Sequence, residues 1–247
     1  MNNGLLAIIG GTGLTEYEGL EVEKTVTVKT QLGNPSSDLV FGRLYDQDVV
    51  FLARHGHPHS VPPHKVNYRA NILALKEAGV TQIIAVNAVG GITPSMVAGA
   101  ICIPDQIIDY THGRLDTFFD GEFKSLDHVD FSYPYQQELS EQLFKASHAI
   151  DLKVHLGGVY GATQGPRLET IAEINRMEKD GCDFVGMTGM PEAVLARELN
   201  IPYACLALVV NPAAGKSEEL ITMDDIRGVI SIGMVSIKQI VSQYLKY

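Results

Sequence analysis

The sequence predicts an α/β fold, a single domain with a central mixed, mostly parallel sheet flanked by helices. Short apolar, β-branched runs alternate with helical patterns along the chain, which is the arrangement of βαβ units. No linker rich in Pro, Gly or Ser divides the 247 residues, so we take residues 1–247 as one domain. Hydrophobic residues make up 45% of the chain and charged residues 19%, a balance typical of a globular protein with a substantial core.

Six runs predict buried strands and five stretches predict helices. The strands are expected at residues 5–9, 49–53, 82–86, 101–103, 183–186 and 203–210. The helices are expected at residues 66–78, 138–150, 170–179, 191–199 and 224–247. In parallel sheets ligands bind beyond the carboxyl ends of the strands, so the residues that follow each run are the candidates for chemistry.

Charge and cysteine content exclude several classes of function. A net charge of −10 argues against nucleic acid as a partner, since polyanion binding needs clustered Lys and Arg. The apolar runs are too short to span a bilayer and no basic leader precedes the first one, so we expect a soluble, cytoplasmic protein without membrane contact. Cys102, Cys182 and Cys205 form no Cys-x-x-Cys pair and are expected to be reduced core residues.

Two polar motifs follow the first two predicted strands. Gly10-Gly11-Thr12-Gly13 could hold an anion with backbone N–H groups and the Thr12 hydroxyl, or could be only a tight turn. The motif Arg54-His55-Gly56-His57-Pro58-His59 offers a guanidinium suited to phosphate and imidazoles that can donate and carry charge. Three histidines also suggest a metal, but Pro58 interrupts their alternation and no Cys, Asp or Glu lies among them to complete its ligands, so we expect none.

Four later segments add polar groups that we expect at the same edge of the sheet. Asn87-Ala88-Val89-Gly90-Gly91 follows a strand, and Met187-Thr188-Gly189-Met190-Pro191-Glu192 follows another and opens a helix. Taken singly, they could be loop glycines and an N-cap threonine. Gly165-Pro166-Arg167-Leu168-Glu169-Thr170 and Val210-Asn211-Pro212-Ala213 contribute a carboxylate and a carboxamide. No Ser-His-Asp or Cys-His nucleophile is present in this set.

Together, four motifs resemble the family of trimeric purine nucleoside phosphorylases and methylthioadenosine phosphorylases. They are Gly10-Gly11-Thr12-Gly13-Leu14, Arg54-His55-Gly56, Lys65-Val66-Asn67-Tyr68-Arg69-Ala70-Asn71-Ile72 and Gly165-Pro166-Arg167. The resemblance implies a nucleoside phosphorylase-like fold, a homotrimer, and a purine nucleoside and inorganic phosphate as substrates without a cofactor. It implies phosphate contacts from Thr12, Arg54, His55, Asn87, Ala88 and Thr188.

The same resemblance assigns contacts to the nucleoside. Met187 matches a ribose contact, and His59 a position near the 5′ group. His128 resembles a residue that a neighbouring subunit contributes. Met223 and Ile226 match positions beside the 5′ substituent, where they suit a methylthio group. The further substrate-binding positions are Leu168, Glu169, Asn211, Pro212 and Ala213.

The base-reading positions depart from the methylthioadenosine branch, which has Asp where this chain has Asn211 and Ala213. A 6-oxopurine presents N1–H as a donor and O6 as an acceptor. Ionised Glu169 can accept from N1–H, and the Asn211 amide can bond O6 or a protonated N7. Each also has a plainer interpretation, Glu169 as a carboxylate that complements a helix dipole and Asn211 as a turn residue before Pro212.

These features predict an enzyme that cleaves S-methyl-5′-thioinosine with phosphate, giving hypoxanthine and 5-methylthioribose 1-phosphate, with Asn211 as the catalytic residue. Three alternatives stay open. The chain could be a methylthioadenosine phosphorylase with an unusual base pocket, a general inosine and guanosine phosphorylase, or a nucleoside-binding protein without activity.

Overall fold

The computed structural model describes residues 4–11, 19–218 and 223–246. Within these residues the strands are β1 (Leu5–Gly10), β2 (Glu21–Val26), β3 (Leu39–Leu44), β4 (Gln47–Ala53), β5 (Val80–Gly91), β6 (Ile101–Ile103), β7 (Gln106–Asp109), β8 (Val154–Leu156), β9 (Val159–Ala162), β10 (Phe184–Gly186) and β11 (Tyr203–Pro212). The helices are α1 (Tyr68–Glu77), α2 (Gln137–His148), α3 (Ile171–Asp180), α4 (Glu192–Glu198) and α5 (Met223–Tyr244). Thr12 lies outside the described residues, and so does the side chain of Met223.

All the described strands belong to one mixed sheet. Its main path runs β2-β3-β4-β1-β5-β10-β9-β7, and a branch of β11, β6 and β8 joins it at β5. Parallel pairings outnumber antiparallel ones by six to four within the described strands. The predicted fold class, α/β with a mostly parallel central sheet, is confirmed.

The sheet divides beside β5, and this division creates the site. The pairing of β5 with β1 ends at Ala85, and its pairing with β10 begins only at Gly90. Along its other edge β5 stays paired with β11 from Ile83 to Gly91. The four residues between Ala85 and Gly90 therefore border a cleft at a reversal of strand order, which is where open α/β sheets bind ligands.

Helices cover both faces of the sheet. Ala7 and Ile9 of β1 pack into the cluster that includes α1 and α4, whereas Leu6 and Ile8 pack into the one with α2 and α5. This alternation is the period of two that a strand buried on both faces requires. All three cysteines are buried and unpaired, as expected from their spacing.

The structure corrects several predicted boundaries. Residues 87–91 were expected to be a loop, but they continue β5, and residues 211–212 likewise belong to β11. Gly and Asn disfavour strands on their own, yet here the pairing between β5 and β11 holds both segments extended. Five strands, β2, β3, β7, β8 and β9, lie where the sequence suggested none. No helix in the described residues has the length and hydropathy to cross a membrane.

Candidate active site

A cavity of about 530 Å³ lies against the open edge of β5. Its size is within the range of roughly 300–1,000 Å³ that small-molecule sites occupy. Most of the residues predicted to bind substrate meet here, although they come from strands β5 and β11 and the residue after β11, from the loops after β4, β9 and β10, and from helix α5. Those lining the cavity are Arg54, His55, His59, Asn87, Ala88, Leu168, Glu169, Met187, Thr188, Asn211, Ala213 and Ile226.

Arg54 is fixed by a buried ion pair at the wall of the cavity. Its Nε and Nη2 donate to the two carboxylate oxygens of Glu192, each at 2.7 Å, and Nη1 donates to the carbonyl of Val86 at 3.0 Å. The Tyr203 hydroxyl also donates to Glu192, at 2.9 Å. Burial alone would lower the pKa of Arg54, but the Glu192 carboxylate outweighs it and raises the pKa. Two of the five guanidinium N–H groups are not engaged by described residues and are available to an anion.

His55 carries one proton, on Nδ1. Its Nδ1 lies 2.9 Å from the Val61 carbonyl, which can only accept, so Nδ1 carries the proton. Burial, followed by the neighbouring Arg54 charge, lowers the pKa of His55 to about 4. At neutral pH the ring therefore presents Nε2 to a ligand as an acceptor. His59 stacks on it with 4.4 Å between ring centroids.

Asn87 and Thr188 form a hydrogen-bonded unit with a buried thiol behind it. The Asn87 amide donates to the Thr188 hydroxyl oxygen at 2.6 Å, and the Cys205 thiol lies 3.3 Å from the Asn87 carbonyl oxygen. Burial raises the pKa of Cys205, so the thiol stays protonated and donates. Because the Thr188 oxygen accepts from Asn87, its own proton can be donated into the cavity.

The structure rules out the alternative interpretation of Thr188 as the N-cap of a helix. The N-cap of α4 is Pro191, three residues further on, and this helix has only seven residues. Thr188 instead lies in the loop after β10, where its backbone N–H is 3.5 Å from the Tyr160 hydroxyl.

A bulge in β11 brings Asn211 to the cavity. Val209 pairs with Val89 but Asn211 pairs with Gly90, so Val210 is the extra residue. Such an insertion changes the direction of the following side chain. The Asn211 amide nitrogen donates to the Pro212 carbonyl at 2.6 Å, which leaves Oδ1 and the second N–H for a ligand. Pro212 accepts this bond but is not among the residues that line the cavity.

Glu169 is held from one side by Thr163. The Thr163 hydroxyl donates to Oε1 of Glu169 at 2.6 Å. Glu169 precedes Thr170, which caps α3 through a capping box with Glu173. Glu169 therefore lies directly before the N-terminus of α3, and its alternative interpretation as a carboxylate that complements the helix dipole stays open.

The spacing of these groups suits a nucleoside and a phosphate. Asn87 and Gly90 are three residues apart on β5. Asn87 bonds to Thr188, and Gly90 pairs with Asn211. At about 3.3 Å per residue this places the two polar regions about 10 Å apart. The small side chain of Ala88 lies between them and is exposed to the cavity.

Arg114, which the sequence did not single out, joins the loops around the cavity. Its guanidinium donates to the carbonyls of Met187 and Met190 in the loop after β10, at 2.9 and 2.5 Å. It also donates to the carbonyls of Thr163 and Gln164 after β9, at 3.1 and 2.9 Å. A charged donor shared by four carbonyls fixes the relative position of the two loops.

Met187 packs closely against one of these loops. Gly165 has a φ of +60°, and a Cβ added there would lie 2.4 Å from the Met187 sulfur. Only glycine combines this conformation with this contact. The loop and Met187 therefore pack together as one wall of the cavity.

The apolar part of the cavity was only partly predicted. Ile226, Ile230 and Met234 lie four residues apart on α5, and Leu208 and Val210 face the cavity from β11. The helical spacing of the first three is visible in the sequence and could have identified them. No local sequence pattern identifies Glu192, Thr163 and Arg114 as site residues, because their roles depend on partners 6 to 138 residues away.

Other predicted residues do not reach this cavity within the chain. His128 is exposed and is not among the lining residues, so the single chain does not test its role in a neighbouring subunit. In the described part of the chain no three His, Cys, Asp or Glu residues are grouped as a metal site.

The fold and the cavity define an α/β protein whose candidate ligand site lies at the division of its sheet. Residues 5–246 match the profile described as Phosphorylase superfamily, and the chain belongs to this superfamily. It is 55% identical over 239 residues to a probable S-methyl-5′-thioinosine phosphorylase of Pseudomonas syringae pv. tomato, with 97% of each chain covered. It is 47% identical to a 6-oxopurine nucleoside phosphorylase of Pyrococcus furiosus, covering 90% of this chain and 84% of the relative.

Solved structures agree with the fold. Methylthioadenosine phosphorylase from Schistosoma mansoni in complex with adenine superposes with a TM-score of 0.91 at 31% identity. The alignment covers 97% of this chain and 90% of the other.

Proposed function

We propose that the chain catalyses phosphorolysis of S-methyl-5′-thioinosine, giving hypoxanthine and 5-methylthioribose 1-phosphate in purine and methylthio-nucleoside salvage. The observation that carries the proposal is that one cavity joins a polar region around Arg54, a base region around Glu169 and Asn211, and an apolar wall from α5. The names of the relatives in Pseudomonas syringae pv. tomato and Pyrococcus furiosus support a 6-oxopurine substrate.

The base region supports hypoxanthine over adenine. Glu169 has one oxygen engaged by Thr163 and offers the other as an acceptor for N1–H. Opposite adenine the same oxygen would face the N1 lone pair. An unmatched buried polar contact costs about 1–3 kcal/mol, or roughly tenfold or more in discrimination.

The 5′ region supports a methylthio group over a hydroxyl. Ile226, Ile230 and Met234 offer no polar atom apart from a thioether. Burying a methylthio group there is favourable, whereas a hydroxyl would lose hydrogen bonds to water. This distinguishes the proposal from a general inosine and guanosine phosphorylase.

The phosphate region is proposed to hold inorganic phosphate through Arg54, His55, Asn87, Ala88, Thr188 and the undescribed Thr12. Two free guanidinium N–H groups and the Thr188 hydroxyl donate, whereas Nε2 of His55 accepts. An acceptor beside a phosphate suits the remaining proton of HPO₄²⁻. Holding phosphate beneath the anomeric carbon converts a two-body encounter into a positioned one.

The chemical step needs no cofactor in this proposal. A phosphate oxygen forms a bond to C1′ as the bond from C1′ to N9 breaks, and the bonding pair moves into the purine. The sugar passes through an oxocarbenium-like state while the purine gains negative charge and takes a proton at N7 from water. The attacking HPO₄²⁻ releases its own proton to water, so the protons balance. Oδ1 of Asn211 accepts from N7–H and its free N–H donates to O6, contacts that strengthen in the transition state.

The proposed assembly is a homotrimer in the cytoplasm. Large apolar side chains are exposed on the segment that carries His128: Leu115, Leu126 and Tyr133 are 67%, 74% and 71% exposed. Large exposed apolar side chains on one segment favour a subunit interface, which would bring His128 to a neighbouring site. Light scattering coupled to size exclusion tests the trimer, and loss of activity in His128→Ala without dissociation tests the shared site.

Methylthioadenosine phosphorolysis is the second candidate, because the solved relative with adenine bound shares the fold at 31% identity. The deciding experiment measures base release with and without phosphate from methylthioinosine, methylthioadenosine, inosine and adenosine, compared as kcat/KM. We expect methylthioinosine to lead by about tenfold or more. A lead of methylthioadenosine would refute the base assignment, a lead of inosine would refute the 5′ assignment, and phosphate-independent or absent release would refute phosphorolysis.

A further inference from the structure

We infer that Thr163 is a positioning residue that sets the choice of purine, because its hydroxyl holds the Glu169 carboxylate ready for the N1–H of a 6-oxopurine. The inference rests on the proposed function, since it explains how the base region of that site is organised. The contact between the two side chains, rather than any sequence motif, carries it.

Thr163 is itself held firmly. It follows β9 directly and is 8% exposed. Its backbone N–H donates to the Gly186 carbonyl at 2.8 Å, and its own carbonyl accepts from Arg114. The hydroxyl lies 2.6 Å from Glu169 and 3.3 Å from the Gly186 carbonyl, so its single proton goes to the nearer, charged acceptor. A length of 2.6 Å is typical of a charge-assisted bond.

Glu169 needs such a partner because it is otherwise free to turn. It lies on the wall between the candidate active site and a second cavity of about 620 Å³. The neighbouring cation, Arg167, is engaged with Glu173 at 2.8 and 2.9 Å. Within residues 4–11, 19–218 and 223–246 the structure gives Oε2 of Glu169 no hydrogen-bond donor. Thr163 therefore fixes one oxygen and leaves the other for the base.

This contact also fits the hydrogen-bonding pattern of one base. With Oε1 engaged by the Thr163 hydroxyl, the Glu169 carboxylate offers Oε2 as an acceptor. Hypoxanthine supplies the N1–H that this acceptor requires. Adenine presents a lone pair at N1 in place of that donor. The hydroxyl thus contributes to selectivity without touching the substrate.

The test compares Thr163→Val, which keeps the shape and removes the hydroxyl, with Thr163→Ser, which keeps it. We expect Thr163→Val to lower kcat/KM for methylthioinosine about tenfold and to reduce its preference over methylthioadenosine. The KM of Thr163→Val for phosphate should stay within about twofold of the wild-type value. Thr163→Ser should keep the wild-type preference for methylthioinosine. An unchanged preference in Thr163→Val, or loss of it in Thr163→Ser, would overturn the inference.

A double-mutant cycle with Glu169→Gln separates positioning from a general structural effect. If Thr163 acts through Glu169, Thr163→Val has little further effect on selectivity in the Glu169→Gln background. An equal loss in both backgrounds means that Thr163 only supports the fold. If Glu169→Gln alone leaves the preference intact, the proposed base contact fails. If Glu169→Gln abolishes the preference and Thr163→Val does not, only the role of Thr163 fails.

Discussion

Arg54 and Glu192, 138 positions apart in the sequence, form a buried ion pair with two hydrogen bonds of 2.7 Å at the wall of the candidate active site. The carboxylate neutralises the guanidinium while leaving two of its N–H groups unengaged by described residues. A phosphate bound there would meet donors without a net positive charge. The negative charge of the phosphate would then remain available to stabilise the cationic sugar of the proposed reaction.

The first prediction concerns the stability that this pair provides. Glu192→Ala leaves a buried guanidinium unpaired, which is expected to lower the free energy of unfolding by about 3–5 kcal/mol. Urea denaturation measures the change. Glu178→Ala, which breaks the more exposed pair with Lys216, should cost less than about 1 kcal/mol. Equal losses in the two variants would contradict a special role for the buried pair.

Replacing both partners separates stability from phosphate binding. Arg54→Met combined with Glu192→Leu removes both charges, so stability should recover relative to Glu192→Ala. Phosphate-dependent base release should nevertheless fall, through a higher KM for phosphate. A KM for phosphate like that of the wild type would remove Arg54 from the phosphate site.

The second prediction concerns Asn211. Asn211→Ala removes contacts that the proposed mechanism makes strongest in the transition state, so kcat should fall by about 10²–10³ while KM for the nucleoside changes much less. Steady-state kinetics with methylthioinosine measure both constants. A variant with a raised KM and an unchanged kcat would make Asn211 a residue of ground-state binding only.

The third prediction concerns the apolar wall on α5. Ile226→Gln places an amide beside the proposed 5′ group and should lower the preference for methylthioinosine over inosine by roughly five- to thirtyfold, the equivalent of about 1–2 kcal/mol of apolar burial. Ile232→Gln is the matched control, because Ile232 lies on the same helix but is 75% exposed. The ratio of kcat/KM values gives the result. A similar change in both variants would place the 5′ group elsewhere.

The fourth prediction follows from the low pKa of His55. Burial and the Arg54 charge lower it to about 4, whereas an unfolded chain protonates His near pH 6.5. Between these values the unfolded state binds more protons, so the stability contribution is present above about pH 6.5 and is lost as pH falls toward about 4. His55→Gln should therefore lose less stability than the wild type on acidification. The ring resonances of His55, followed by NMR without phosphate, should show a midpoint well below 6, and one near 6.5 would contradict it.

The sequence predicted the parts of the fold that depend on local patterns. Alternating strands and helices identified the α/β class, and the helix expected at residues 170–179 is present as α3, with Thr170 as its N-cap. The length of β5 could not be predicted, because Asn87, Gly90 and Gly91 are poor strand formers held extended by β11. The exposed residues of β2 show no alternation that would mark them as a strand.

In the candidate site, as in the fold, the sequence predicted what depends on local residues but not what depends on long-range contacts. Asn211 and Glu169 were found from residue chemistry and family resemblance. How each is oriented depends on long-range contacts, a bulge at Val210 for Asn211 and the Thr163 hydroxyl for Glu169. The charge state of His55 depends on contacts that the sequence does not show, since Val61 holds its Nδ1 and Arg54 is buried beside it.

The central position of β5 also has a consequence for local unfolding. Its hydrogen bonds to β1 and β11 lie in the core, so the amide protons that form them should exchange with solvent only when the whole domain opens. The loops after β9 and β10 are held to each other through Arg114, whereas the separation of Asn87 and Gly90 is set by one continuous strand. The distance between the two ends of the candidate site therefore persists for as long as the protein stays folded. Warming should lower the selectivity among bases before it changes that distance.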